Sequence, residues 1–474
     1  MDATKSFDFR VTSKGSDGTV QQLQELLDNL IGDFINYHPT SQKLHQHALT
    51  ALPGGNTRSV LHTDPFPVSM DRGDRNKLID VDGHEYLDLI GEMTAGLCGH
   101  SNPKIRDAIM CTVSKTGLNL GATTVAESQF AAEICRRFPS VERLRFCNSG
   151  TEANLYALSI ARRATGLSKI IVFSGAYHGG VLSFVHGLAG NNVDKSDWII
   201  GKYNDTEGAQ RLISGNKGRA AAVMVEGMQG AAGCIPGTGA FLHGIQAAAK
   251  ANGMLFILDE VMTSRLAPGG LQSVILSPHS NTGLKPDITT LGKYIAGGMT
   301  IGAFGGQEEL LSIYDPRENS AINEPERPFQ PLSHSGTFNN NTLAMNVGLA
   351  VLSDVYTPEA CTELNSMGDW FRQSILDRCQ GTKMTVTGIG AVCNIHFLSE
   401  KFSSRDLNVE ELEKGRTKSD TMLSDIFWFK SIRKGFWMAR RGMLALIMGT
   451  TKSELQGYLD FVEDFVQEYY SFLV

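Results

Sequence analysis

The sequence contains no long hydrophobic run. Across its 474 residues, no stretch approaches the roughly 18 consecutive apolar residues that a membrane-spanning helix needs, so we do not expect a membrane protein. Apolar residues still make up 42% of the chain and charged residues 20%, which is typical of a soluble globular protein. At this length we expect a large buried core divided among two or three domains.

A large excess of charge and a pattern of paired cysteines are also missing. The formal net charge of −7 is small for so large a surface, so neither nucleic acid nor an anionic membrane is predicted as a partner. The eight cysteines are scattered, with no CxxC pair and no histidine set beside them, which predicts no disulfide framework and no metal site. The opening residues contain no apolar segment of a signal peptide, and the closing "SFLV" matches no sorting signal. We therefore expect a cytoplasmic protein.

Apolar runs alternate with helical stretches through the middle of the chain. The runs are "LRFCN" (144–148), "IIVFS" (170–174), "AAVMVE" (221–226), "MLFILDE" (254–260) and "ITTLG" (288–292). Buried strands separated by helices indicate right-handed βαβ crossovers, and hence a largely parallel sheet with helices on both faces. The predicted fold class is α/β.

The flanking regions show other patterns. Residues 20–37 have the spacing of an amphipathic helix, and "KLIDVDGHEYLDLI" predicts a hairpin that turns at Asp82-Gly83. Strand patterns among helices near the C-terminus predict a smaller α+β domain. We divide the chain into an N-terminal extension (1–50), an N-terminal segment of the small domain (51–110), a large α/β domain (111–345) and the C-terminal part of the small domain (346–474).

Polar residues that could take part in chemistry follow the predicted strands. They are Ser149, Tyr177, Glu226, Asp259 and Lys293. Ligands of such sheets bind at the carboxyl ends of the strands. We therefore expect these side chains to lie on one rim of the sheet.

The stretch "FCNSGTEANLYAL" (146–158) predicts a strand, a glycine turn and a helix. The N–H groups at the start of that helix, with the hydroxyls of Ser149 and Thr151 beside them, form a site suited to a phosphate. A simple helix cap by either hydroxyl is an equally good interpretation of this stretch alone.

Asp259 and Lys293 each have a chemical and an ordinary interpretation. Asp259 at the end of a buried strand needs a partner, because burying an unpaired charge is costly; the alternative is a cap or a surface turn. Burial of Lys293 would lower its pKa and leave more of the free amine that attacks carbonyls; the alternative is a solvated lysine in a loop.

Together, these parts suit the cofactor pyridoxal 5′-phosphate. Its phosphate needs the anion site, its aldehyde needs a lysine for a Schiff base, and its ring nitrogen needs an acid that keeps it protonated. The faces of the ring also need flat or branched neighbours. Tyr177 is expected to cover one face and Val261 the other.

From about residue 50 to the C-terminus, the sequence resembles the class III (ω) aminotransferases of pyridoxal-phosphate fold type I. The motifs that carry the resemblance occur in the family's order: "NSGTEAN", "YHGG", "LDEVMTSR", "TTLGKYIAGGM" and "HSGTFNNN". Within the family the chain looks most similar to the β-phenylalanine aminotransferases, through "LPGGNTRSVLH", "DEVMTSRLAPGG" and "SGTFNNN". Glutamate-1-semialdehyde aminomutases are similar over the same stretches, but less so at "NTRSV" and "SRLAPGG".

The resemblance implies a role for each matching residue. Lys293 would bind the cofactor as a Schiff base, and Asp259 would pair with the pyridinium nitrogen. The other cofactor residues would be Ser149, Gly150 and Thr151 at the phosphate, Thr337 reaching the phosphate from the neighbouring subunit, and Glu226 and Gln229 near the cofactor's hydroxyl. Arg58 and Arg441 match the arginines that hold substrate carboxylates, while the adjacent Arg440 leaves open which of the pair faces the substrate.

The implied enzyme is a homodimeric transaminase with active sites at the subunit interface. It would move the amine of a β-amino acid to an α-keto acid such as 2-oxoglutarate or pyruvate. Because the two substrates place their carboxylates at different distances from the reacting carbon, two alternate arginines make physical sense. The alternatives are a 2,1-aminomutase of the glutamate-1-semialdehyde type and a cofactor-binding protein without catalysis.

Overall fold

The computed structural model describes residues 17–278, 280–317, 331–399 and 408–474. Residues 1–16 of the N-terminal extension lie outside these ranges. The predicted amphipathic helix is confirmed as α1 (Asp17–Tyr37), and α2 (Pro39–Ala48) follows it. Leu23, Leu27 and Phe34 of α1 are buried in the main hydrophobic core, so this helix packs on the body of its own chain.

The predicted hairpin is confirmed and belongs to a small sheet. Strands β1 (Met70–Asp74), β2 (Lys77–Asp80) and β3 (Glu85–Asp88) pair in antiparallel fashion, and Asp82-Gly83 lies in the β2–β3 turn. Helix α3 (Pro103–Cys111) follows. In β3, Tyr86, Leu87 and Asp88 are all buried, so this strand is covered on both of its sides.

A polar network joins the N-terminal helices to this hairpin. His38, between α1 and α2, contacts the Tyr86 hydroxyl through Nε2 at 2.9 Å, and that hydroxyl donates to Asp80 Oδ2 at 2.8 Å. His84 Nδ1 lies 2.9 Å from the same oxygen, and its ring stacks on Tyr37. His38 thus bonds to Tyr86, Tyr86 to Asp80, and Asp80 to His84, which attaches the N-terminal helices to the small sheet.

The middle of the chain alternates strands and helices, as predicted. The strands are β4 (Arg143–Cys147), β5 (Lys169–Phe173), β6 (Trp198–Gly201), β7 (Ala220–Glu226), β8 (Met228–Gln229), β9 (Ile235–Pro236), β10 (Leu255–Asp259), β11 (Ile288–Gly292) and β12 (Gly302–Gly306). The helices are α4 (Val125–Arg137), α5 (Gly150–Thr165), α6 (Thr206–Gly215), α7 (Gly239–Ala251) and α8 (Glu308–Leu311). The five strands expected from apolar runs are β4, β5, β7, β10 and β11.

Seven of these strands form one large sheet in the order β4-β12-β11-β10-β7-β5-β6. β12 is antiparallel to both of its neighbours, and the other pairings are parallel, which confirms the mostly parallel sheet. Val223 of β7 belongs to a buried cluster with residues of α6 and α7, while Met224 belongs to a cluster with residues of α5 on the other face. The carboxyl ends of the parallel strands therefore meet at one edge, between the two helical layers.

The C-terminal part forms the rest of the protein. Its elements are α9 (Thr342–Ala350), α10 (Pro358–Arg378), β13 (Met384–Ile389), β14 (Val392–Phe397), α11 (Val409–Lys414), α12 (Lys418–Arg433), β15 (Phe436–Trp437), β16 (Met443–Ala445), α13 (Lys452–Glu468) and α14 (Tyr470–Leu473). β13, β14 and β16 form an antiparallel sheet, whereas β15 pairs with β3 of the N-terminal hairpin. Both ends of the chain thus contribute to one α+β region, and the division at residues 50, 110 and 345 stays a prediction.

Membrane spans and disulfides were the two features that composition argued against. Within the described ranges, no helix is both long enough and apolar enough to cross a membrane. All eight cysteines lie in these ranges as free thiols. The fold is therefore held by its buried apolar clusters and hydrogen bonds rather than by covalent links.

Candidate active site

The polar residues predicted at strand ends lie together at one edge of the large sheet. Glu226 is the last residue of β7 and Asp259 the last of β10, and the two are cross-strand partners. Thr290 of β11 is the partner of Asp259 on its other side, and Lys293 follows β11 directly. Parallel pairing in register thus places two acids and an amine on the same rim.

Asp259 is buried and surrounded by hydrogen-bonding groups. Its Oδ2 accepts from Asn154 Nδ2 at 2.8 Å and lies 2.8 Å from His178 Nδ1, while Oδ1 accepts from the Val261 N–H at 3.0 Å. Burial opposes ionisation, but His178 and the N–H donors outweigh it, so the pKa of Asp259 lies below its ordinary value. Burial also lowers the pKa of His178, and the contact with Asp259 raises it by more. Asp259 is therefore a carboxylate at neutral pH.

Sequence reasoning missed both His178 and Asn154 as partners of Asp259. They lie 81 and 105 residues away from it along the chain. The only signal was an imidazole in "YHGG" and an amide in "NSGTEAN", each beside a predicted strand end. Both motifs had been interpreted through other residues, Tyr177 in the first and Ser149 in the second.

Glu260, adjacent to Asp259, has a different set of contacts. Its carboxylate accepts from Thr263 Oγ1 at 2.8 Å and from the N–H groups of Leu271 and Gln272 at 3.1 Å and 2.8 Å. Successive residues at a strand end point to opposite sides. Glu260 consequently holds the loop that follows β10, and Asp259 faces the rim.

Lys293 combines a left-handed backbone with a lowered pKa. Its φ of 56° is unusual for a residue other than glycine, and such conformations concentrate at functional sites. Burial lowers the pKa of the amine; the charges of Asp259 and Glu226 act in the opposite direction, and those of Arg441 and Arg265 add to the lowering. Lys293 is only partly exposed, and with its lowered pKa the structure favours the reactive interpretation over a solvated loop lysine.

Helix α5 begins at the predicted anion site. Ser149 Oγ accepts from the Glu152 N–H at 3.1 Å, so this hydroxyl does cap the helix. A β-carbon on Gly150 would lie 2.6 Å from Val261 Cγ1, which shows that the first turn packs on the residue expected beside the cofactor ring. The N–H groups of Gly150 and Thr151 lie at the positive end of the helix. The cap and the anion site are thus compatible on the same turn.

Glu226 and Gln229 lie next to each other on the same rim. Glu226 Oε1 accepts from the Tyr177 N–H at 2.9 Å and Oε2 from the Gly230 N–H at 3.3 Å. Burial raises the pKa of Glu226 to about 7. Gln229 Nε2 donates to the Ser174 carbonyl at 2.9 Å, whereas its Oε1 is buried without a partner among the described residues. Such an acceptor fits a hydroxyl of a bound ligand.

The raised pKa of Glu226 predicts a pH-dependent stability. Because the pKa is about 7 in the fold against 4.5 ordinarily, the folded state binds the extra proton between these values. The stability that this proton contributes is fully present below pH 4.5, falls as the pH rises, and is lost once the pH has passed about 7. Relative to Glu226→Gln, the wild type should lose about 3 kcal/mol of unfolding free energy over this range. Urea unfolding of the two cofactor-free proteins at several pH values measures the loss.

A surface glutamate provides the control for this measurement. Glu309 of α8 is exposed, so Glu309→Gln should leave the pH profile of stability as in the wild type. A constant stability difference between the wild type and Glu226→Gln at every pH would contradict the assignment of a buried, protonated Glu226.

Arg440 and Arg441 have different surroundings. Arg440 Nε donates to Asp425 Oδ1 at 2.7 Å, so this guanidinium is already paired. Arg441 keeps exposed surface, but the protein around its guanidinium removes water and lowers its pKa. Arg441 is close enough to Tyr177 and Lys293 to interact with them electrostatically. In the described part of the chain it has no carboxylate partner. This arrangement favours Arg441 as the arginine that faces the rim.

Besides Arg441, three predicted site residues are exposed at the surface of the single chain. Tyr177 is 47% exposed, although its N–H binds Glu226. Thr337 lies in an exposed turn, and exposed Arg58 forms an ion pair with Glu92. Within the described ranges of one chain, neither Thr337 nor Arg58 contacts Lys293. Their roles stay predictions.

Comparison with known proteins identifies the class. The family model of class-III aminotransferases matches residues 59–418, and the chain belongs to that family. Members of the family use pyridoxal 5′-phosphate, and their solved structures have the same fold type I architecture. The protein is therefore a pyridoxal-phosphate-dependent aminotransferase, which confirms the fold class, the enzyme class and the cofactor expected from the sequence.

Individual relatives cover nearly the whole chain. An uncharacterised aminotransferase of Schizosaccharomyces pombe is 45% identical over 90% of this chain and 91% of its own length. The β-phenylalanine transaminase of Variovorax paradoxus is 41% identical over 91% of this chain and 94% of its own. The crystal structure of the β-phenylalanine aminotransferase from that organism superposes with a TM-score of 0.87 at 39% identity, covering 95% of this chain and 99% of that one. A glutamate-1-semialdehyde 2,1-aminomutase of Chloroherpeton thalassium is 31% identical over 88% of this chain and 94% of its own length.

Proposed function

We propose that this aminotransferase moves the amine of a β-amino acid, β-phenylalanine or a close analogue, to an α-keto acid such as 2-oxoglutarate or pyruvate. The observation that carries the proposal is that Arg441 interacts electrostatically with Lys293 and has no carboxylate partner among the described residues. A cation in this position suits a substrate carboxylate. The 41% identity to a β-phenylalanine transaminase supports the choice of donor.

The rim fits pyridoxal 5′-phosphate. When bound, the cofactor supplies an aldehyde that takes up the amine and a ring that accepts electrons. The N-terminus of α5 fits its phosphate, and the buried, partnerless Oε1 of Gln229 fits its hydroxyl. The residues that would hold it are Ser149, Gly150 and Thr151 at the phosphate, Asp259 at the ring nitrogen, Tyr177 and Val261 beside the ring, Glu226 and Gln229 at the hydroxyl, Lys293 at the aldehyde, and Thr337 of the partner subunit.

Lys293 and Asp259 would divide the chemical work. Because its pKa is lowered, more of Lys293 is a free amine at neutral pH, and Nζ in that form can take a proton from the carbon that bears the substrate's amine. Asp259 keeps its negative charge beside His178 and so stabilises a positive charge placed opposite it. Such a positive charge, on the ring nitrogen of the cofactor, would make the amine-bearing carbon of the substrate easier to deprotonate.

Two arginines would serve the two substrates. In a β-amino acid, one carbon separates the carboxylate from the carbon that bears the amine. In an α-keto acid, the carboxylate is attached directly to the reacting carbonyl carbon. We assign Arg58 to the β-amino acid and Arg441 to the keto acid. The planar guanidinium binds a carboxylate through two parallel hydrogen bonds, so a single fixed arginine would fit one of these positions poorly.

Substitution of the arginines tests the proposed function. With β-phenylalanine as donor and 2-oxoglutarate or pyruvate as acceptor, we expect Arg58→Ala to raise the KM of the donor about tenfold or more, because a charged hydrogen bond is lost. The KM of the keto acid should change much less. Arg441→Ala should show the opposite pattern. Two-substrate steady-state kinetics measures all four constants.

Arg440→Ala is the matched control, since Arg440 is adjacent to Arg441 and paired with Asp425. It should leave both KM values near those of the wild type. Equal effects of Arg58→Ala on donor and acceptor would contradict the assignment. Turnover that needs no keto acid would indicate the aminomutase, and bound cofactor without amine exchange toward any donor would indicate a catalytically silent protein.

We also propose a homodimer with active sites at the subunit interface. The segment from Met110 to Val125 exposes several large apolar side chains, and Phe338, next to Thr337, is exposed as well. Asn340 donates to the Ala122 carbonyl, so the two stretches form one surface. Contiguous exposed apolar surface is typical of an interface between subunits. The free cysteines support a reducing compartment, and we place the enzyme in the cytoplasm.

A further inference from the structure

Arg58 already has a carboxylate partner in the chain. Its Nη1 donates to Glu92 Oε1, and the two side chains form an ion pair with 44% and 56% of their surfaces exposed. A carboxylate is also the group that Arg58 is proposed to bind in the substrate. Glu92 therefore occupies the position that a substrate carboxylate would take on this guanidinium.

Glu92 lies in a tight left-handed loop. Gly91, Glu92, Met93 and Thr94 all have positive φ, between 49° and 79°. Such backbone costs free energy in each residue other than glycine, and it persists only where the surroundings impose it. Here the Gly96 N–H donates to the Gly91 carbonyl at 2.7 Å, and the Thr94 N–H donates to the carbonyl before Gly91 at 3.1 Å. The loop thus presents Glu92 in one defined place.

The loop is anchored to the segments that carry the candidate site. Arg265, fully buried on the segment after Asp259, donates from Nη1 to the Thr94 carbonyl at 3.1 Å and from Nη2 to the Leu446 carbonyl. Ile90 belongs to the same buried cluster as residues on both sides of Arg441. The loop that carries Glu92 is therefore held against the two segments that contribute to the rim.

We propose that Glu92 is a specificity-determining residue: it pairs with Arg58 in the absence of substrate, and a substrate carboxylate must displace it. This inference rests on the proposed function only in assigning Arg58 to the donor. The competition sets how tightly a carboxylate binds. It also keeps Arg58 from remaining as an unpaired cation when the site binds an amine without a carboxylate.

The competition predicts a gain in affinity when Glu92 loses its charge. Glu92→Gln keeps the length and the hydrogen-bonding capacity of the side chain but removes the charge that competes. We expect carboxylates to bind about two- to fivefold more tightly, the range that a solvent-exposed ion pair accounts for. Arg58→Gln should weaken binding about tenfold or more. The double variant should bind like Arg58→Gln, because Glu92 acts only through Arg58.

The experiment uses the holoenzyme and 3-phenylpropanoate, a carboxylate that has the β-phenylalanine skeleton but no amine and so cannot react. Titration calorimetry gives its Kd for the wild type, both single variants and the double variant. Glu85→Gln is the matched control, because Glu85 forms an ion pair with Lys77 on the neighbouring hairpin with nearly the same exposure, 55% and 40%. It should leave the Kd unchanged.

Several results would overturn the inference. They are unchanged or weaker binding by Glu92→Gln, additive effects in the double variant, and no effect of Arg58→Gln. Turnover of β-phenylalanine by the wild type is measured separately. If turnover is present but Glu92→Gln does not tighten binding, the inference fails and the proposed function stands. If the binding pattern appears without turnover, the proposed donor fails and the role of Glu92 stands.

Discussion

Replacing Lys293 with alanine is expected to lower kcat by at least about 10⁴-fold, the upper range for loss of a positioned acid–base group. The variant loses both the amine that holds the cofactor and the base that moves the proton. We also expect purified Lys293→Ala to lose the visible absorbance of the bound cofactor after dialysis. Absorption spectra and steady-state kinetics measure the two effects.

Lys285 provides a control for the Lys293 substitution. It lies in the same stretch of chain, just before β11, and is exposed. Lys285→Ala should keep both the absorbance and the turnover. If Lys293→Ala retained cofactor through dialysis and turned over donor at a rate close to that of the wild type, another amine would have to be the reactive one.

Replacing Asp259 with asparagine is expected to lower kcat by about 10²- to 10³-fold, the range seen when one preorganised electrostatic group is removed. Asparagine preserves the shape and can still accept the Val261 N–H bond. It removes the negative charge that His178 and Asn154 hold in place. The ring nitrogen of the cofactor would then lose the partner that keeps it protonated. Steady-state kinetics with saturating substrates measures the fall.

The variant Glu260→Gln serves as the control that distinguishes a loss of catalysis in Asp259→Asn from a loss of stability. Glu260 is buried like Asp259, but its carboxylate binds Thr263 and the N–H groups of the following loop. Glu260→Gln should lower the midpoint of thermal unfolding and leave kcat near that of the wild type. Equal losses of kcat in both variants would mean that the carboxylates act only through stability.

Much of the architecture followed from short-range pattern. The apolar runs predicted five strands that the structure confirms, because a buried parallel strand needs a continuous apolar stretch whatever it packs against. The hairpin around Asp82-Gly83 and the amphipathic α1 could also be predicted, because the spacing of apolar residues along a strand or a helix is a local property of the chain. The rule that ligands bind at strand ends then placed Glu226, Asp259 and Lys293 on one rim.

The partners of these residues did not follow from pattern. Neither His178 nor Asn154 was assigned to Asp259, because nothing local indicates which polar side chain a buried carboxylate will meet. Asp259 and Glu260 are adjacent acids at one strand end, yet they have separate surroundings. Ser149 showed the reverse: two interpretations were weighed as alternatives, and its hydroxyl caps α5 while the turn stays suited to an anion.

The sequence by itself therefore determined the class of fold, the order of its strands and helices, and the lysine and aspartate at their ends. These depend on composition and spacing within stretches of a few residues. Only the tertiary structure decided that Arg440 pairs with Asp425 while Arg441 has no carboxylate partner among the described residues, and that Glu92 reaches Arg58 from 34 residues away. Such contacts join residues distant in the chain, and they exist only once the whole molecule has packed.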